Sequence, residues 1–93
     1  DEVVAEKVRA ILTRDKARDM FDLAFLIANK GIRFDPSLVD DKLRYYDLRF
    51  SETVFLKKLK ARSKIWKQEL GSLVFGELPD AGESVENIRN WIK

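Results

Sequence analysis

Between residues 15 and 30 the apolar side chains of Ala17, Met20, Phe21, Leu23, Ala24, Phe25, Ile27 and Ala28 cover roughly 200° of a helical wheel, more than one buried face requires. A helix of this kind must be packed on more than one side, so the rest of the chain has to supply its neighbours. Only a narrow strip of Asp15, Arg18, Asp19, Asp22 and Asn29 is left for water. The preceding stretch, residues 3–13, has a helical period too, and it carries a charge in an unexpected place. Lys7 falls within the apolar arc, with Val3, Val4, Ala10 and Ile11 on either side of it.

The remaining punctuation is also helical. Gly31 closes the second helix as a carboxy-terminal cap, and Asp35-Pro36 opens a third, with Asp35 as cap and Pro36 at the first position. The third helix is predicted to run to about Tyr46 or Leu48, offering Leu38, Val39, Leu43 and Tyr46 to a core. Ser51 caps a long fourth helix whose apolar seam is Phe55, Leu56, Leu59, Trp66, Leu70 and, where it continues past Gly71, Leu73. Gly76, Pro79 and Gly82 mark a loop, and a last short helix starts near Ser84, bringing back Val85, Ile88 and Trp91 or Ile92. No alternating segment is long enough to read as a strand. The expected fold is all-α, a small bundle of four to five helices with residues 1–93 as one helical domain. A chain of this length buries about 60 to 70% of its unfolded surface, enough for one modest core. Phe21, Phe25, Phe55 and Trp66 lie on apolar arcs and read as packing residues rather than base-stacking platforms.

Composition removes several chemistries. With no cysteine and no histidine there is no disulfide, no thiolate or imidazole metal site and no histidine-based triad. The longest wholly apolar run, residues 23–28, is far short of the ~20 residues a membrane span needs, so a cytoplasmic protein without membrane partners is expected. The net charge of +2 conceals an asymmetry: Lys57, Lys58, Lys60, Arg62, Lys64 and Lys67 follow one another without an acidic residue, whereas Asp80, Glu83 and Glu86 cluster later. Lys57, Lys60, Lys64 and Lys67 fall on one helix face, opposite the apolar seam. Such a stripe suits a nucleic-acid backbone; an ordinary solvated helix face is the plain alternative.

Lys7, Asp19 and Asp22 are the candidate site residues. Asp19 and Asp22 stand one turn apart, and Arg18 and Asp22 are an i,i+4 pair, so the three side chains are neighbours on a helix. The plain alternative is a lysine that snorkels to water and a solvated strip in which Arg18 neutralises Asp22. Against it, the helix dipole fades within the first turn and does not account for Asp22, and like charges at this spacing repel. A lysine facing two carboxylates is a common arrangement for holding a phosphate or a metal-bound nucleotide.

Glu6-Lys7-Val8-Arg9-Ala10 and Arg18-Asp19-Met20-Phe21-Asp22-Leu23 resemble the two carboxy-terminal motifs of the AbiEii/AbiGii-like nucleotidyltransferases, the toxins of type IV toxin-antitoxin systems. The first motif there is a lysine followed three residues later by alanine, and the second reads Arg-Asp-x-x-Asp-Leu. Phe50-Ser51 with Phe55-Leu56, residues 70–73, Pro79-Asp80 and residues 88–92 are similar, more weakly, to the helical tail of the same family. The resemblance implies a minimal nucleotidyltransferase in which a Gly-Ser turn and an Asp-x-Asp pair on an upstream sheet hold divalent metal. Lys7 would then contact the nucleotide phosphates, Asp19 and Asp22 would contribute catalytic carboxylates, and Arg18 would orient a carboxylate or phosphate. Magnesium and a nucleoside triphosphate are the implied cofactors of the parent enzyme.

No Gly-Ser turn followed by Asp-x-Asp occurs in these residues. The chain is therefore expected to be the carboxy-terminal part of such an enzyme, with no metal site of its own, no bound cofactor and no activity by itself. The expected partners are the amino-terminal nucleotidyltransferase domain, a cognate antitoxin, transfer RNA or another RNA, and a second copy of the chain. A docking face is expected around Val3, Val4 and Phe25. The competing expectation is a free-standing helical module that binds protein or RNA through the lysine stripe, with Lys7 and Asp22 forming only a structural salt bridge.

Overall fold

The computed structural model describes residues 2–71 and 78–93, and their regular structure is helical: α1 (Glu2–Thr13), α2 (Ala17–Lys30), α3 (Pro36–Arg44), α4 (Glu52–Lys64), α5 (Trp66–Leu70) and α6 (Ala81–Trp91). No strand occurs among the described residues. Leu73 and Gly76, expected to extend the fourth helix and to mark a loop, lie outside them, as does half of the 70–73 segment of the tail resemblance.

Local chemistry accounts for most helix ends. Gly31 takes the left-handed conformation (φ 60°) that a side chain would resist, and its N–H returns to the Ile27 carbonyl at 3.3 Å. Asp35 accepts from the Leu38 N–H, and Ser51 accepts from the Val54 N–H, each satisfying an amide that the first turn leaves unpaired. At α6 the cap is Asp80, whose carboxylate accepts from the Glu83 N–H at 3.0 Å. The last helix therefore starts at Ala81 rather than near Ser84, and Gly82 lies in its first turn rather than in a loop.

α2 lies at the centre, packed against α1, α4, α5 and α6, as its wide apolar arc requires. Ala17, Met20 and Leu23 are fully buried there, with Val8 and Ile11 of α1, Leu59 of α4, Leu70 of α5 and Ile88 of α6 in the same core. An aromatic cluster fastens the connections: Phe34 stands 5.4 Å from Phe50 and 4.9 Å from Trp91, and Phe50 stands 5.4 Å from Phe55. The Trp91 indole donates to the Ile32 carbonyl at 2.7 Å, so its one polar atom is satisfied inside the cluster. On the other flank Lys42 joins α3 to α1 through Glu2 (2.9 Å) and Glu6 (3.2 Å). The hydrogen bond and charge of Lys42 hold the Glu2 carboxyl below the usual carboxylate range.

Several expectations are corrected. The long fourth helix is two helices, because the chain turns at Ile65 (φ −106°, ψ 8°) and starts again at Trp66. The turn brings Trp66 inside, with its ring 6.1 Å from Phe21 and its indole N–H on the Pro79 carbonyl at 2.9 Å. The bundle thus has six helices among the described residues instead of four to five. α2 starts at Ala17 and not Asp15, and α3 stops at Arg44. Tyr46 is half exposed rather than core, with the Arg9 guanidinium 4.8 Å above its ring. Phe25 is 52% exposed, and Val3 is exposed too, whereas Val4 is buried and belongs to the core rather than to a docking face.

Candidate functional site

α1 and α2 pack side by side, and their contact brings Lys7 onto the carboxylates of α2. The Lys7 ammonium donates to Asp22 Oδ2 at 2.8 Å and stands 3.7 Å from Asp19 Oδ1. The three residues singled out by periodicity therefore meet at one point. Lys7 keeps 25% of its side-chain surface and Asp22 keeps 26%, so the pair sits in a half-open position where water or a ligand can reach it. The Lys7 stem rises from a helix face shared with Val4, Val8 and Ile11, all buried, and its charge emerges at the edge of the helix pair.

Asp19 has a different environment. It is 2% exposed, and the Arg14 guanidinium grips both its oxygens, Nη2 to Oδ1 at 2.7 Å and Nε to Oδ2 at 3.2 Å. A two-bonded guanidinium is the strongest way to satisfy a buried carboxylate. It also removes the need for Lys7 to neutralise Asp19, and the ammonium sits nearer Asp22. Arg14 was not foreseen as a site residue. It lies in the connection between helices, where no helical spacing relates it to Asp19, and the burial of Asp19 departs from the expectation of a strip facing water. Arg18 takes the expected i,i+4 place, but its guanidinium is mostly exposed and only 3.7 Å from Asp22 Oδ2. Most of its donors face solvent.

Arg14, Lys16 and Arg18 share a cleft of about 420 Å³ with Asp19, Glu69 and Leu70. That volume falls within the ordinary range for small-molecule sites, and three cations against two carboxylates give it an excess of positive charge. The described residues of the cleft do not fit a magnesium site. Asp19 has both oxygens engaged by Arg14, Asp22 is engaged by Lys7, and no group of three or more potential ligands occurs among the described residues.

The lysine stripe divides at the Ile65 turn. Lys57, Lys60 and Lys64 are exposed on α4, Lys67 is exposed on α5, and none takes part in an ion pair among the described residues. Arg62, counted with the basic run, does not belong to this surface: it is 1% exposed and points inward. Lys64 and Lys67 line a larger cleft, about 680 Å³, together with Trp66, Asp80 and Glu83. The later acidic cluster therefore lies beside the carboxy-terminal end of the stripe, and only Lys57 and Lys60 are clear of it.

A family model described as the nucleotidyl transferase AbiEii toxin of a type IV toxin-antitoxin system matches residues 1–90. No match was found among curated proteins or among solved structures.

Proposed function

The chain belongs to the AbiEii family of nucleotidyl transferase toxins of type IV toxin-antitoxin systems, and from that premise we propose that Lys7, Asp19 and Asp22 form the carboxy-terminal half of its nucleotide site. The supporting observation is the half-open contact in which the Lys7 ammonium faces Asp22 at 2.8 Å beside the buried, arginine-held Asp19. An ammonium in that place has a donor to spare for a phosphate oxygen, and the two carboxylates aim it. Arg18 adds a second, solvent-facing cation at the rim and orients a phosphate or the Asp22 carboxylate.

Nucleotidyl transfer joins an acceptor oxygen to the α-phosphorus of a nucleoside triphosphate, breaks the bond to the bridging oxygen and releases pyrophosphate. Such reactions depend on positioning and charge neutralisation more than on covalent help from the protein. Lys7 serves both needs by drawing off charge from the phosphates as the bridging bond lengthens. Magnesium is held in this proposal by a Gly-Ser turn and an Asp-x-Asp pair that lie outside these 93 residues, in an amino-terminal nucleotidyltransferase domain. The chain by itself is then inert, and the complete protein works in the cytoplasm. The exposed Lys57 and Lys60, with Lys64 and Lys67, are the proposed contact for an RNA acceptor such as transfer RNA. The family description implies a cognate antitoxin as partner, and a second copy of the chain is proposed for the half-exposed apolar surface at Phe25.

The test is nucleotide transfer by the complete protein carrying Lys7→Ala or Asp22→Asn. Loss of a group that stabilises transition-state charge costs about 100-fold or more in turnover, and that loss is expected while the fold, followed by circular dichroism, is retained. Full turnover in a folded Lys7→Ala variant would reduce the pair to a structural salt bridge. The chain would then be read as a helical interaction module acting through its exposed lysines.

A further inference from the structure

α2 begins without a cap of its own. Lys16 holds the capping position with extended backbone (φ −118°, ψ 122°), and its carbonyl accepts from the Asp19 N–H at 3.3 Å, but its side chain has no oxygen to offer the first amides of the helix. The Ala17 N–H is satisfied from another helix, by Glu69 Oε1 of α5 at 2.7 Å. A carboxylate at this end also matches the positive pole of the helix.

A second contact runs the same way. Arg62 of α4 is fully buried, donating to the Lys58 carbonyl at 2.9 Å and to Asp15 Oδ1 at 3.3 Å. Arg62 thus reaches from α4 to the connection that opens α2, and Asp15, Asp19 and Glu69 favour its charge against the effect of burial. The turn held in this way is the turn that carries Asp19, and Asp22 follows one turn later.

We propose that Glu69 is a positioning residue of the nucleotide site: by binding the first amide of α2 from α5, it fixes where Asp19 and Asp22 meet Lys7 and ties that meeting point to the helices bearing the lysine stripe. The proposal rests on the nucleotide-site reading of Lys7, Asp19 and Asp22. Glu69 touches the backbone and acts through α2. Helix ends fray when their amides are unpaired, and a frayed first turn would move a carboxylate clamped between Arg14 and Lys7.

The experiment compares Glu69→Ala, Glu69→Gln and the double variant Lys16→Ser/Glu69→Ala in the complete protein, at a temperature where each is folded. A displacement of an ångström at a catalytic group costs up to about 100-fold in rate, so a partial loosening in Glu69→Ala is expected to lower kcat about tenfold. Gln keeps an oxygen that accepts the Ala17 N–H, and its turnover stays near that of the parent. Ser at position 16 restores a local cap without the tie to α5, so the double variant recovers melting temperature but not kcat. Parent-level kcat in folded Glu69→Ala overturns the proposal, as does a double variant that regains kcat along with stability, or a Gln variant as slow as Ala. If Glu69→Ala does not fold, the double variant is read in its place. Lys7→Ala run alongside separates the two levels: full activity there removes the site itself, whereas its loss together with parent-level Glu69 variants removes only the positioning role.

Discussion

Charge placement at single residues separates the contacts that serve stability from those that serve the site. Arg62 is a guanidinium inside a small core, with a buried Nε that has no partner among the described residues and one carboxylate, Asp15, that is itself almost fully exposed. Burial pushes its pKa below the ordinary value, with Asp15, Asp19 and Glu69 opposing that effect. Replacing a buried ion pair by an apolar side chain of similar size is often neutral or favourable. Arg62→Met is therefore expected to leave stability unchanged or raise it by about 1 kcal/mol. Asp15→Ala leaves the cation buried without its carboxylate and is expected to lower stability by about 1 kcal/mol, a figure kept small because Asp15 is solvated. Urea denaturation of both variants checks the asymmetry; a large loss in Arg62→Met would show that the guanidinium contributes more than it costs. Lys7 is the opposite case, since its partners leave it accessible at the surface.

At the level of elements, the helices that could be read from the sequence are those whose ends are set by their own residues. Gly31, Asp35 with Pro36, and Ser51 act on backbone amides and carbonyls within four residues, and each stands where the sequence placed it. The break at Ile65 has no glycine or proline to announce it, and its cause is tertiary: Trp66 turns in to reach Phe21 and the Pro79 carbonyl. Asp80 caps α6 through the Glu83 N–H, so Gly82, expected in a loop, falls in the first helical turn. The start of α2 was misplaced because Glu69, far along the chain, supplies the bond that Lys16 cannot. The divided stripe yields its own prediction. Charge reversal at Lys60 and Lys64 in the complete protein should weaken RNA binding and flatten its salt dependence, with a slope smaller by about one unit for each phosphate no longer neutralised. Filter binding across a salt series measures this, and an unchanged slope would exclude α4 from the RNA interface.

For the whole molecule, the candidate site is legible in the sequence where it depends on motif spacing and obscure where it depends on packing. Lys7 is legible because it interrupts an apolar arc, and Asp19 and Asp22 because they stand one turn apart on a narrow polar strip; α1 against α2 brings the three to one point. Arg14 and Glu69 are not legible, because one lies in a connection and the other belongs to a different helix. The α-helical bundle around α2 follows from the wide apolar arc, which leaves no arrangement but neighbours on several sides. The charged groups divide their labour: Arg14 satisfies Asp19, Glu69 binds the first amide of α2, and Lys7 beside Asp22 stays partly accessible, as the proposed nucleotide site requires. The direct measurement is calorimetric titration of the complete protein and its Lys7→Met variant with a non-hydrolysable nucleoside triphosphate and with the corresponding nucleoside. Loss of a charge-assisted hydrogen bond, about 1.5 to 3 kcal/mol, predicts affinity for the triphosphate weakened by about 10- to 100-fold and affinity for the nucleoside unchanged. Equal affinity of parent and variant for the triphosphate, with only the melting temperature lowered, would contradict the nucleotide-site reading and leave Lys7 as a structural salt bridge.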